Sequence, residues 1–250
     1  MEATPNLLNT RLYEDLSQLA RDHKKAYKHN APFPFIVFQD FFDPDFLNKV
    51  LAEFPDLAGK KQTMSFANTN ERKTITKGES LFGECTKALV HYLNSEDMLD
   101  FLQELTGIER QLIPDPYFVG GGYHETKRGG YLKIHVDFNK NINTNLDRRV
   151  NLLVFLNKDW EEAYGGHFEL WDRDMKNCVQ KILPVFNSVV VFSTTDYSYH
   201  GHPEPLNCPE DRTRQSLAMY YYSNGRPEAE INPRLEVHNT VFAARNGVRN

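Results

Sequence analysis

An imidazole and a carboxylate stand two residues apart in His135-Val136-Asp137, inside the run Tyr131-Leu132-Lys133-Ile134-His135-Val136-Asp137-Phe138. As a strand, this run places Leu132, Ile134, Val136 and Phe138 on one face. Tyr131, Lys133, His135 and Asp137 then share the other. Both ligating groups can reach one metal ion from that face. A third ligand from a distant strand would complete a facial triad with open positions, which is the donor set of non-haem iron(II) chemistry.

His-x-Asp alone is weak evidence in a chain with nine histidines. The downstream order strengthens it. Ser188-Val189-Val190-Val191-Phe192 reads as a strand, and Tyr197-Ser198-Tyr199-His200-Gly201-His202-Pro203 follows. Either His200 or His202 can supply the third ligand, because the even spacing keeps both on one side of an extended segment. Next comes Arg212-Thr213-Arg214-Gln215-Ser216. A dicarboxylate buried in a β-barrel needs a fixed cation, and the guanidinium of Arg214 offers a two-donor fork. Ser216 shares its strand face and can donate to the same carboxylate.

The elements that must carry these residues divide the chain by texture. Leu8, Leu12, Leu16, Leu19 and Ala20 recur at helical spacing from Leu7 to about Asn30. Ala31-Pro32-Phe33-Pro34 stops that helix, and Phe35 to Phe38 reads as a short strand. Asp43-Pro44-Asp45 opens a second helix through about Phe54, with a capping Asp, a first-turn Pro and acidic residues at the positive end. Ser95 caps a third, Met98 to Leu105, which Gly107 ends. After Pro114 come short β-branched and aromatic runs: Tyr131 to Phe138, Val150 to Leu156, Gly166 to Trp171, Ser188 to Phe192 and Gln215 to Tyr222. Such runs predict a jelly roll. The expected fold is α+β, mainly β: a double-stranded β-helix with N-terminal supporting helices. Residues 1–250 make one domain, with helical support over 1–112, the β core over 113–226 and a tail over 227–250.

Composition sets the outer limits. The formal charge of −5 gives no electrostatic reason to expect nucleic acid as a partner. No apolar run approaches membrane-spanning length, and Met1 to Thr10 lack the pattern of a secretory signal. The three cysteines, Cys85, Cys178 and Cys208, are an odd number without a CxxC pair. They read as free thiols in a reducing cytoplasm.

The run from about Ile113 to Asn224 resembles the prolyl-4-hydroxylase-like branch of the 2-oxoglutarate/iron(II) oxygenases. The matching pieces are Gly130-Tyr131, His135-Val136-Asp137, Leu156-Asn157-Lys158-Asp159-Trp160, Gly165-Gly166, His200 and Thr213-Arg214. The resemblance implies iron(II) on His135, Asp137 and His200, with 2-oxoglutarate chelating the metal and Arg214 on its far carboxylate. It implies His202 at the entrance, a co-substrate contact at His124, and ascorbate as an accessory reductant. Tyr131 borders the site by strand face. One position departs from animal protein hydroxylases: their Tyr that bonds the far carboxylate is Phe155 here, which cannot donate.

The reading is therefore a dioxygenase that hydroxylates a prolyl or other amino-acid side chain. O2 and 2-oxoglutarate are consumed, succinate and CO2 are released, and the protein works as a monomer or homodimer. A tailoring oxygenase for a free amino acid, peptide natural product or glycan is the alternative. A zinc hydrolase would leave Arg214 and Ser216 unexplained, and a non-catalytic binding module would not need three ligands. The loops Phe138 to Arg149 and Ser193 to Pro209 are expected to form the substrate rim. Lys140, Arg148 and Arg149 would favour polar or anionic substrates there.

Overall fold

The computed structural model describes residues 7–9 and 15–245. Four helices, α1 (Leu16–His29), α2 (Pro44–Ala52), α3 (Glu84–Leu93) and α4 (Glu96–Thr106), pack on one side of a curled antiparallel sheet. Its strands are β1 (Phe35–Phe38), β2 (Thr63–Ala67), β3 (Glu71–Thr76), β4 (Ile113–Pro114), β5 (Gly122–Lys127), β6 (Tyr131–Val136), β7 (Asp147–Phe155), β8 (Phe168–Trp171), β9 (Cys178–Ile182), β10 (Val189–Ser193), β11 (His200–His202), β12 (Thr213–Ser223) and β13 (Val241–Phe242). The path β1-β10-β7-β12-β5-β3-β6-β11-β8-β9 is the double-stranded β-helix that the alternating runs predict.

Alternation decides which side chains reach the site. Val150, Leu152 and Val154 of β7 and Leu217, Met219 and Tyr221 of β12 are fully or almost fully buried against the helices. Their neighbours Asn151, Leu153, Arg214, Ser216 and Tyr220 face the opposite way and line a cavity. One row of apolar side chains, each worth about 1.5–3 kcal/mol of burial, therefore presents the other row to the chemistry.

The helices differ from expectation at their starts. Helix α1 begins at Leu16, where the carboxylate of Asp15 accepts from the amides of Ser17 and Gln18 at 2.8 and 3.1 Å. Leu8 is not helical: it bridges to Phe42, while Leu12 lies outside the described residues. Asp43 caps α2 by accepting from the Phe46 amide, as its sequence predicts. Ser95 stands at the start of α4 but makes no side-chain cap bond, whereas Gly107 ends that helix in the left-handed region at φ +67°. Helix α3 and the β2–β3 hairpin went unread in the sequence.

Candidate active site

β6 and β11 bring two imidazoles face to face. His200 pairs directly with His135 across the ladder, and their rings lie 4.4 Å apart. Asp137 follows β6 by one residue, its oxygens 3.6 Å from His135 Nε2 and 3.4 Å from His200 Nε2. Ligands held about 2.0–2.2 Å from one ion at right angles sit roughly 3 Å apart, so the three atoms fit a single metal. Each ring is oriented from behind. His135 Nδ1 donates to the Lys133 carbonyl and His200 Nδ1 to that of Ser198, both at 2.8 Å. The bare Nε2 atoms are thereby turned to the shared point.

The carboxylate is held as firmly. Asn151 Nδ2 donates to Asp137 Oδ2 at 2.8 Å, and Arg148 Nη2 lies 3.0 Å from the same oxygen. Arg148 Nε donates to Asn151 Oδ1, which closes the triangle. The guanidinium sits 3.4 Å over the Tyr220 ring and 4.4 Å over Phe138. Burial would raise the Asp137 carboxyl, but Arg148 and the imidazoles hold it well below the usual range. Burial likewise drives His200 down to about 3, so the ring is neutral and free to ligate.

His202 is not part of this cluster. Two steps along β11 match three along β6, from His200 opposite His135 to His202 opposite Leu132. The extra β6 residue is a bulge, and it turns one side of the strand over. Leu132 therefore joins His135 in the cavity. Tyr131, expected beside His135, instead sends its hydroxyl to the Asn68 carbonyl at 2.8 Å and lines neither the cavity nor the cleft above it. His202 is buried beside Arg214 and walls the cavity from a separate surface pocket, so it does not line the entrance.

Arg214 stands at the inner end. Its Nε donates to the Gly166 carbonyl at 2.8 Å, and its guanidinium lies 5.0 Å from the Phe155 ring. No carboxylate pairs with it among the described residues, and burial alone lowers it to about 9. A buried, uncompensated guanidinium is costly unless an anion fills the space before it. Ser216 pairs across the sheet with His124 on one side and Phe155 on the other, so the three form one row. His124 lines the cavity, but its Nε2 donates to the Gly120 carbonyl, and burial with nearby Lys73 lowers the ring to about 3. A neutral ring so bonded keeps only a lone pair on Nδ1 and cannot donate to a carboxylate.

Above the cavity opens a cleft of about 630 Å³. It is bordered by the β2–β3 hairpin, Tyr117 to Gly120, Phe138, Asn239 and Thr240, and it contains nothing from Ser193 to Pro209. That second loop serves the C-terminal segment instead: Asp196 accepts from the Asn232 amide at 2.8 Å and pairs with His238 at 3.1 Å. Of the cations of the first loop, Arg148 lines the cleft while it grips Asp137, and the other two are committed elsewhere. Lys140 pairs with Asp147 and the buried Arg149 with Glu230. Sequence reading missed Lys73, which lines cavity and cleft alike. The only local signal was the turn Asn68-Thr69-Asn70, because Glu71 to Thr76 carries a single apolar residue, Ile75.

Residues 121–222 match the family described as the 2OG-Fe(II) oxygenase superfamily. Over these residues the chain is similar to the prolyl-4-hydroxylase-like 2-oxoglutarate/iron(II) oxygenases. The chain is 26% identical over 231 residues to prolyl 3,4-dihydroxylase OGFOD1 of Ostreococcus tauri, covering 84% of this chain and 42% of that protein. It is 24% identical over 198 residues to prolyl 3-hydroxylase OGFOD1 of Xenopus laevis, covering 77% and 35%. The chain thus spans less than half the length of these relatives. Two solved structures share the fold of the oxygenase core. A Pseudomonas putida prolyl-4-hydroxylase aligns with a TM-score of 0.59 at 18% identity, over 84% of this chain and 100% of that one. A Trichoplax adhaerens prolyl hydroxylase, in complex with a hypoxia inducible factor oxygen degradation domain peptide fragment, gives 0.63 at 18%, over 86% and 94%. The donor set and its backbone-bonded imidazoles fit the iron that this family binds.

Proposed function

We propose that the chain is a 2-oxoglutarate- and iron(II)-dependent dioxygenase that hydroxylates a prolyl side chain of a protein or peptide. The carrying observation is one cavity with three convergent metal ligands at its mouth and an unpaired guanidinium at its inner end. A hydrolytic zinc site would leave that cation unexplained. The prolyl hydroxylases among its relatives, and the open cleft above the metal, support a peptide as substrate.

His135, Asp137 and His200 would hold the iron, and Arg214 with Ser216 the far carboxylate of 2-oxoglutarate. The bound metal and co-substrate supply the oxidising power: 2-oxoglutarate, O2 and a C–H bond become succinate, CO2 and C–OH. The protein does the rest. Asn151 and Arg148 fix the carboxylate plane, and the backbone carbonyls of Lys133 and Ser198 fix both imidazoles. Leu153, Phe168 and Phe192 make the cavity wall apolar and exclude water. The cleft walls Phe66, Ile75, Phe138 and Tyr220 suit an apolar ring such as that of proline. Ascorbate as accessory reductant, a cytoplasmic setting and a monomeric or homodimeric state belong to the same reading. No described helix is long and apolar enough to cross a membrane.

Anaerobic iron(II) with 2-oxoglutarate should give a weak visible charge-transfer band. Once O2 is admitted, proline-containing peptides should gain one oxygen atom, coupled to succinate release. A band without any oxidised peptide would retain the oxygenase and move the substrate to free amino acids or glycans.

A further inference from the structure

The far carboxylate is short of donors. A carboxylate accepts at about four lone-pair sites. Phe155 offers none and His124 has only a lone pair, so the Nη atoms of Arg214, whose Nε is spent on Gly166, and the Ser216 hydroxyl leave a site unfilled. The sheet register shows what stands beside Arg214. Arg214 on β12 pairs with Thr126 on β5. Across the other edge of β5, Thr74 pairs with Glu125 and Ile75 with His124, so the next step puts Lys73 opposite Thr126. Arg214, Thr126 and Lys73 form one cross-strand row, and all three line the inner cavity.

Thr126 is 3% exposed and lines the cavity between the two cations. Lys73 has a side chain 13% exposed, and its only ion pair among the described residues is a 3.4 Å contact with Glu71. Two largely buried cations therefore flank a buried hydroxyl, and Glu71 pairs with only one of them. Like charges facing one cavity are tolerated when an anion sits between them.

We infer that Thr126 and Lys73 join Arg214 in holding the far carboxylate of 2-oxoglutarate, in place of the Tyr hydroxyl absent at Phe155. The inference rests on the co-substrate assignment made under the proposed function. Thr126 donates its hydroxyl from the middle of the row, and Lys73 adds charge from the side opposite Arg214. Both are binding residues, remote from the bond that is oxidised.

The test is a titration of 2-oxoglutarate into the anaerobic iron(II) protein, read by the visible band, with iron content as the control for folding. Thr126→Val should weaken binding at least threefold and Lys73→Met at least tenfold, with iron content unchanged. Thr126→Ser should bind like the wild type. Unchanged affinity in both Thr126→Val and Lys73→Met, with the wild type binding normally, overturns the inference alone. A wild type that binds iron but no 2-oxoglutarate overturns the co-substrate assignment and this inference with it. If Lys73→Met binds 2-oxoglutarate normally and loses only peptide affinity, Lys73 belongs to the substrate, and the carboxylate row is wrong.

Discussion

Asp137 ligates through a carboxylate that two neighbours also grip, so its partners should matter almost as much as the ligand. Asn151→Leu removes the donor to Asp137 and the acceptor of Arg148 Nε in one step. Metal affinity should fall about 10–100-fold, as measured by competition with a chelator. The Arg148 Nε, left without an acceptor while Nη2 still reaches Asp137, should cost about a further 1–3 kcal/mol of stability in denaturant titration. An Asn151→Leu protein that binds metal normally would remove Asn151 from the site. At the cavity's inner end, Arg214→Ala should weaken 2-oxoglutarate at least tenfold while iron binding holds, and Arg214→Lys should recover only part. The ligands were legible because His-x-Asp and a distal His are local patterns in a fixed order. Arg148 was legible as a rim residue, but nothing local told that it would also turn inward to Asp137 and stack between Tyr220 and Phe138.

The β6–β11 pair positions the metal through a bulge, and Gly201 makes that pairing possible. A Cβ at Gly201 would meet the Leu132 and Lys133 carbonyls at 2.7 and 2.9 Å. Gly201→Ala should push β11 off β6, separate His200 from His135 and lower iron content, whereas His202→Ala should retain iron. Equal iron in Gly201→Ala and wild type would show that the ladder absorbs the methyl. The bulge explains why strict alternation misplaced Tyr131: a period of two cannot register an extra residue that only the partner strand reveals. The C-terminal segment is tied down by another pair. Burial alone would lower His238, but its bond to Asp196 outweighs that and raises it above 6.5. Burial would raise Asp196, yet His238, the Asn232 amide and Arg226 lower it below 3.8. The His238 contribution is complete below pH 6.5 and is lost as pH rises through its raised value. The Asp196 contribution is lost as pH falls through its lowered one. Amide protection factors over residues 226–242, with the intrinsic pH dependence of exchange divided out, should therefore be highest between about pH 4 and 6.5. They should fall above that range in the wild type but not in His238→Gln.

Across the whole molecule, alternation and turn residues were enough to expect the β-helix, because its inner strands are half-buried and read cleanly. Two pieces escaped. The β2–β3 hairpin carries polar residues on both faces, since its inward row is Glu71, Lys73 and Ile75, which lines the cleft. The segment from Arg226 onward reads as a tail because it is held by ion pairs and one short strand, β13, on β6. Together they build the rim, and the rim lies above the co-substrate chamber. Lys73, His124, Leu132, His135, Asp137 and Tyr220 belong to both spaces. A peptide lying in the cleft would therefore close the chamber beneath it. Stacking of this kind imposes an order of arrival, with 2-oxoglutarate first and peptide second. A non-oxidisable peptide analogue should then be an uncompetitive inhibitor against 2-oxoglutarate. Isotopically labelled 2-oxoglutarate, once bound, should exchange with the medium more slowly when that analogue is present. Exchange at the same rate with and without the analogue would mean that the chamber has a second door.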